Sequence, residues 1–268
     1  MFKSLLFVLK ENYQNLYRII SIAKYEYLAT LRDSKFGVFW SFASPAIQVL
    51  TYWLVFGIGM SRGKQDGIEY LPWVIVGFSA WWYISPCITG GCSAIHSKAN
   101  IISRMKFPVS ILPATTCAKE LINHFFMLII AIVVIIAYGF TPNIYWLGTL
   151  YYLVCAFIFV WSFTMISSVI TMLWRDMKTM VRSFMRLLLY MSPVLWTARF
   201  RSFPMMNKLM KLNPIYYIVQ GYRDSMIFSK PITAHPHLAI YFWGVCALML
   251  IVGSALMNKF QKRFVDML

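Results

Sequence analysis

From Phe36 to Met60 the chain runs for 25 residues without an Asp, Glu, Lys or Arg. A helix of that length covers about 37 Å at ~1.5 Å per residue, enough to cross the ~30 Å hydrocarbon layer of a bilayer. Inside lipid every backbone N–H and C=O must be paired within the segment or its neighbours, so such a run folds as a helix. Five further apolar segments follow, at 70–92, 109–140, 145–173, 183–198 and 238–257. The segment at 183–198 is short and has to recruit its Arg-containing flank to span. With 60% hydrophobic and 13% charged residues among 268, the chain has more apolar surface than one soluble core hides. The expected fold is an all-α integral membrane protein of six transmembrane helices.

The 25 Lys and Arg against 9 Asp and Glu flank the apolar runs instead of forming one patch, which suits membrane orientation and not a nucleic-acid-binding face. Lys3, Lys10, Arg18, Lys24, Arg32 and Lys35 precede the first run. Lys98, Arg104 and Lys106 follow the second, Arg175, Lys178, Arg182 and Arg186 follow the fourth, and Lys259, Lys262 and Arg263 close the chain. The alternate loops at 61–69 and 140–144 hold only Arg62 and Lys64, balanced by Asp66 and Glu69. The positive-inside rule then puts both termini in the cytoplasm of a multi-pass protein of the cytoplasmic membrane. Residues 1–34 read as a separate unit ahead of the membrane domain at 35–268. Phe2, Leu5, Leu6, Leu9, Tyr13, Leu16, Tyr17 and Ile20 recur at three- and four-residue steps opposite a basic face, the pattern of an amphipathic helix lying in the membrane interface. No small-residue cleavage site follows it, so it is not a removable signal.

The stretch at 199–230 departs from this order. It carries six basic residues on the side that the topology makes extracytoplasmic, is too polar to span, and is too apolar for an ordinary loop. Asn213-Pro214 is a strong helix start, with Asn as the cap and Pro in the first turn. One or two short re-entrant helices before the last span are expected, tolerated where protein covers their ends. In the loop at 97–108, Ser97 or Asn100 caps a short helix that Pro108 ends. Ile101, Ile102 and Met105 give that helix an apolar face beside Arg104 and Lys106, a surface suited to docking another protein. Arg175 and Asp176 sit in a loop of similar mix. Lys119 and Glu120, inside the third run, read as an internal ion pair.

Several chemistries are unsupported. Five cysteines lie in or beside apolar runs without a C-x-x-C, the four histidines lack metal-ligand spacing, and His235-Pro236-His237 is a weak signal. No metal or catalytic residue is expected. Gly63-Lys64 fails both halves of the phosphate-loop pattern, so any energy must come from another chain.

Arg175-Asp176, Ser192-Pro193-Val194-Leu195-Trp196, Asn213-Pro214 and Gly221-Tyr222-Arg223 resemble the C-terminal half of permease subunits of ABC-2 type polysaccharide and polyol phosphate exporters. Phe39-Trp40, Pro45, Tyr52 to Gly59 and Met105-Lys106-Phe107-Pro108 agree in the N-terminal half. The ordered set is most similar to the permeases that translocate teichoic acid, with O-antigen and capsule exporters as close relatives. The resemblance implies a homodimer paired with two copies of an ABC ATP-binding subunit. That subunit binds ATP and Mg, and this chain binds no cofactor. The implied substrate is a lipid-linked anionic polymer, undecaprenyl-diphosphate-linked wall teichoic acid, flipped across the membrane. O-antigen or capsule export is the alternative, ahead of drug export or a non-transporting anchor. It further implies that Ser97, Asn100, Ile101, Ile102, Arg104, Met105, Lys106, Phe107, Arg175 and Asp176 meet the ATPase. Tyr52, Trp53, Trp81, Trp82, Tyr83, Tyr216 and Tyr217 offer sugar rings stacking faces along the substrate path. Arg199, Arg201, Lys208, Lys211 and Arg223 either offer it positive charge or snorkel to outer-leaflet headgroups.

Overall fold

The computed structural model describes residues 2–32, 34–60, 63–102, 107–174, 176–197 and 204–261. Among the described residues the main elements are all helices: α1 (Phe2–Gln14), α2 (Leu16–Arg32), α3 (Phe39–Tyr52), α4 (Tyr70–Gly91), α5 (Ala99–Ile102), α6 (Leu112–Ala137), α7 (Gly148–Leu173), α8 (Met177–Met191), α9 (Pro204–Leu212), α10 (Pro214–Met226) and α11 (Pro236–Phe260). α3 continues as a π-helical segment, Trp53–Gly59, so that the two together are 21 residues long.

Among the described residues, five helical segments are long and apolar enough to cross a membrane: Phe39–Gly59, Tyr70–Gly91, Val109–Ala137, Ile144–Leu173 and Pro236–Phe260. Burial sorts them into two shells. The most apolar stretches of α4 and α7 are 78% and 67% buried, against 11% for the α3 segment, 22% for α6 and 28% for α11. α4 and α7 are the central pair, and the others present much of their apolar surface outward, as lipid contact or an interface requires.

The expected span at 183–198 takes a different form. α8 is 15 residues long and ends at Met191, about 22 Å of helix against the ~30 Å a span needs. Ser192 is extended, with ψ 153°, because Pro193 disfavours helix at the residue before it. The buried Pro193, Val194 and Leu195 then turn the chain inward. α8 begins six residues earlier than the apolar run and so takes Lys178 and Arg182 into its body.

The N-terminal unit also differs from one flat helix. It is interrupted at Asn15, between α1 and α2, whose side-chain amide donates to Glu11 O at 2.7 Å. Val8 packs with Ala94, Ile95, Met165, Val169 and Met257, and Ser110 Oγ donates to the Glu11 carboxylate at 2.5 Å. α2 then climbs along α6: Ile19 meets Ile111 and Ala114, and the Tyr27 ring stacks 6.4 Å from that of Phe126. The residues facing the bundle are thus Val8, Asn12, Ile19, Ala23 and Tyr27. The stripe of Phe2, Leu6, Tyr13, Tyr17 and Ile20 remains exposed, free to enter lipid.

Candidate functional site

At the end of the bundle where α4, α7 and α11 begin, α10 is wedged among them, with ten of its thirteen residues buried. Local sequence explains why it starts there. Asn213 Oδ1 accepts from Ile215 N at 3.0 Å, Pro214 supplies the first turn, and Asn213 Nδ2 donates to Ser192 Oγ at 2.9 Å. The cap read from sequence therefore also ties α10 to the break after α8. Gly221 allows the close approach to α7, since a Cβ there would lie 2.2 Å from the Tyr152 ring.

Arg223 is held inside this wedge, 1% exposed. Its Nε donates to Trp73 O at 3.2 Å, Nη2 to Val194 O at 2.9 Å, and Nη1 to Pro193 O. Its guanidinium carbon stands 3.4 Å over the Trp73 ring. Gly77 makes the room, because a Cβ there would lie 2.2 Å from Nη2. A buried guanidinium is tolerated only when its donors are satisfied, and here they join α4, α10 and the α8–α9 connection. The neighbouring Asp224 is fully buried on another side of α10. It accepts from Gln220 Nε2 at 3.1 Å and His235 Nε2 at 3.0 Å, and pairs with Lys230 Nζ at 3.4 Å. Beyond these residues lies a polar cavity of about 270 Å³, whose walls include Lys211, Tyr216, Gln220, Lys230 and His235.

The sequence-derived path residues separate accordingly. Lys208 and Lys211 are exposed, and Lys211 reaches the cavity. Arg223 is a clamp whose guanidinium donates to carbonyls, and it stands buried in the wall of the same cavity. Tyr217 is buried, its hydroxyl 3.2 Å from that of Tyr151, whereas Tyr216 lines the cavity. Tyr83 is buried and donates to Cys117 O at 3.3 Å. Trp81 is also buried, and Tyr52, Trp53 and Trp82 are partly so, packed on the same core. Arg199 and Arg201 lie outside the described residues.

At the opposite end, the 97–102 turn packs against the bundle. Lys98 Nζ pairs with Glu26 at 2.5 Å, joining this turn to α2. Ile102 is buried with Val8, Val109 and Leu112, so its side chain is turned inward and not onto a docking face. Phe107 is partly buried on the same cluster. Ser97 lies within the short helical turn His96–Lys98 and donates back to Ala94 O at 3.2 Å. Its position and that of Asp176 are exposed. The side chains of Asn100 and Ile101, and residues Arg104, Met105, Lys106 and Arg175, lie outside the described residues.

Sequence reasoning missed a stripe on α8. Val181, Met185 and Leu189 face the core at four-residue steps. Thr179, Arg182, Ser183, Arg186 and Tyr190 are exposed, and at 100° per residue they share one contiguous face. Counted by position alone, Arg182 and Arg186 group with the cytoplasmic anchoring charges. The helical period of 177–191, applied to both sides of residue 183, was the signal that separates them from the loop.

Residues 17–227 match the ABC-2 type transporter family. An O-antigen export system permease protein RfbA from Myxococcus xanthus is 25% identical over 262 residues, 97% of this chain and 98% of that protein. Two proteins of the same description from Klebsiella pneumoniae are 23% and 24% identical over 239 residues, each spanning 88% of this chain and 89% of theirs. With the helical membrane bundle, this match identifies the chain as a multi-pass membrane protein of the ABC-2 type transporter family. Such permeases work with ATP-binding subunits in ABC exporters.

Proposed function

We propose that the chain is the permease of an ATP-driven exporter of lipid-linked polysaccharide of the O-antigen kind. The relatives support O-antigen export better than the teichoic acid reading: the three described above carry an O-antigen name and align over nearly their whole length. Two copies of this chain assemble with a separate ATP-binding subunit, and both termini face the cytoplasm, as the Lys and Arg distribution favours. In this orientation the α10 wedge is a re-entrant helix at the outer side. The 97–108 turn and the start of α8 face the ATPase.

The observation that carries this reading is the exposed polar stripe of α8. An arginine facing lipid at the middle of a bilayer costs about 2.5 to 3.5 kcal/mol on insertion scales. Arg182 and Arg186 share one exposed face of α8, apart from its core face and from the exposed apolar Met180, Phe184 and Leu187; where α8 enters the bilayer, that polar face calls for a water-filled path that one bundle alone does not enclose. A hydroxyl-rich polymer needs such a path, since each of its polar groups would lose its water partners in hydrocarbon.

Deleting the chain from its own cell tests the proposal. Polysaccharide disappears from the cell surface while lipid-linked polymer accumulates inside. Normal surface polysaccharide would contradict it. An accumulated polymer of polyol phosphate instead of glycosidically linked sugars would restore the teichoic acid reading.

A further inference from the structure

α2, α3, α4 and α6 line a second, open cavity of about 340 Å³, with mixed polar and apolar walls, at the level of Lys119. It lies toward the opposite end of the bundle from the α10 wedge. Lys119, Glu120 and Asn123 of α6 line it, with Trp40 of α3 and Trp82 of α4. The α2–α3 turn contributes Ser34 and Gly37, the latter at φ +48°.

A charged pair in the body of a membrane helix is costly unless it has polar surroundings or a task. Glu120 has a partner in Asn123, whose Nδ2 donates to Oε2 at 2.9 Å. Lys119 is less engaged. It meets Glu120 Oε1 only at 3.9 Å, as adjacent helical residues project in different directions, and its side chain retains 25% exposure. The cavity therefore offers an available ammonium, an amide, a carboxylate and flat aromatic surface. On the α4 side it is walled by Trp82 and Pro86. The Tyr27 hydroxyl, 2.9 Å from Ser41 Oγ, joins α2 to α3 in its wall.

We infer that this cavity binds the headgroup of a sugar-bearing polyprenyl diphosphate before transport, with Lys119 meeting the phosphate and Trp40 and Trp82 the sugar. The inference rests on the export function proposed above and assigns its loading site. An ammonium in a half-buried site binds phosphate through charge-assisted hydrogen bonds. Pyranose rings lay their apolar faces on indole while their hydroxyls reach polar groups of the kind supplied by Glu120 and Asn123.

The test uses the full-length chain with its ATP-binding partner in lipid nanodiscs. Three probes are titrated: a polyprenyl diphosphate carrying one hexose, the same lipid without sugar, and a free hexose 1-phosphate. Lys119→Gln should weaken both lipids by about tenfold, or ~1.4 kcal/mol, and remove much of the salt dependence of binding, while Lys119→Arg stays close to wild type. Trp40→Leu should weaken only the sugar-bearing lipid, by about fivefold. This split distinguishes a site from misfolding, which would lose both lipids together. Equal binding by wild type and Lys119→Gln overturns the site and leaves the export reading standing. Absence of lipid binding by the wild-type complex overturns both, and hexose 1-phosphate binding as tightly as the lipids overturns the lipid-headgroup assignment.

Discussion

The guanidinium of Arg223 lies 3.4 Å over the ring of Trp73 and donates to that residue's own carbonyl. One side chain of α10 thus grips both the face and the backbone of α4, and its remaining bonds reach the chain just past α8. The short helices at this end are fixed by a buried charge satisfied by carbonyls. Replacing Arg223 with Ala leaves those carbonyls unpaired and a cavity behind. A loss of about 3 to 5 kcal/mol is expected, from the scale for breaking buried charged networks. Lys is no substitute, because one ammonium lacks the planar fork that reaches three acceptors. Thermal unfolding of the purified chain in detergent should show both variants well below wild type.

Gly77→Ala tests the same contact from the other side. Its Cβ would meet Nη2 at 2.2 Å, so about 1 to 3 kcal/mol of overpacking is expected. In an Arg223→Ala background the same substitution should cost far less, giving a large coupling in a double-mutant cycle of unfolding midpoints. Additive effects would contradict the clamp.

Asn213→Ala removes the helix cap and the bond to Ser192 together. About 1 to 2 kcal/mol of destabilisation is expected, and Ser192→Ala should cost less because the cap survives. Protease sensitivity of the segment between α9 and α11 should rise in the first variant more than in the second.

Arg182→Ala with Arg186→Ala should leave the unfolding midpoint near that of wild type, because both side chains lie on the exposed face of α8. Export, followed as surface polysaccharide in complemented cells, should fall by at least about tenfold if the charges favour a polar path. Lys208→Ala with Lys211→Ala provides the comparison at the outer end, where a smaller effect is expected.

The runs at 36–60, 70–92 and 145–173 were legible because hydropathy reports the cost of exposing backbone and polar groups to lipid, whatever surrounds the helix. Asn213-Pro214 was legible because capping is local chemistry. α8 was not, since its 15 residues mix both arginines with core positions and average to an intermediate polarity. Its stripe emerges only when each residue is assigned a direction. The burial of Arg223 was not legible because the sequence gives its charge and not the three carbonyls converging on it. Ile102 looked like part of an exposed face because its partners, among them Val8 and Met257, are remote in sequence. Lys230, Asp224 and His235 meet through a turn whose closure no local pattern encodes.

Water accessibility of α8 tests the central claim most directly. The five native cysteines are buried, so a single introduced thiol can be followed with a membrane-impermeant maleimide in the assembled complex. Ser183→Cys, on the polar stripe, should label readily, whereas Val154→Cys, exposed on α7 among apolar residues, should not. Equal and negligible labelling at both positions would mean that the α8 stripe faces lipid or a dry interface, and would contradict a polar path along it.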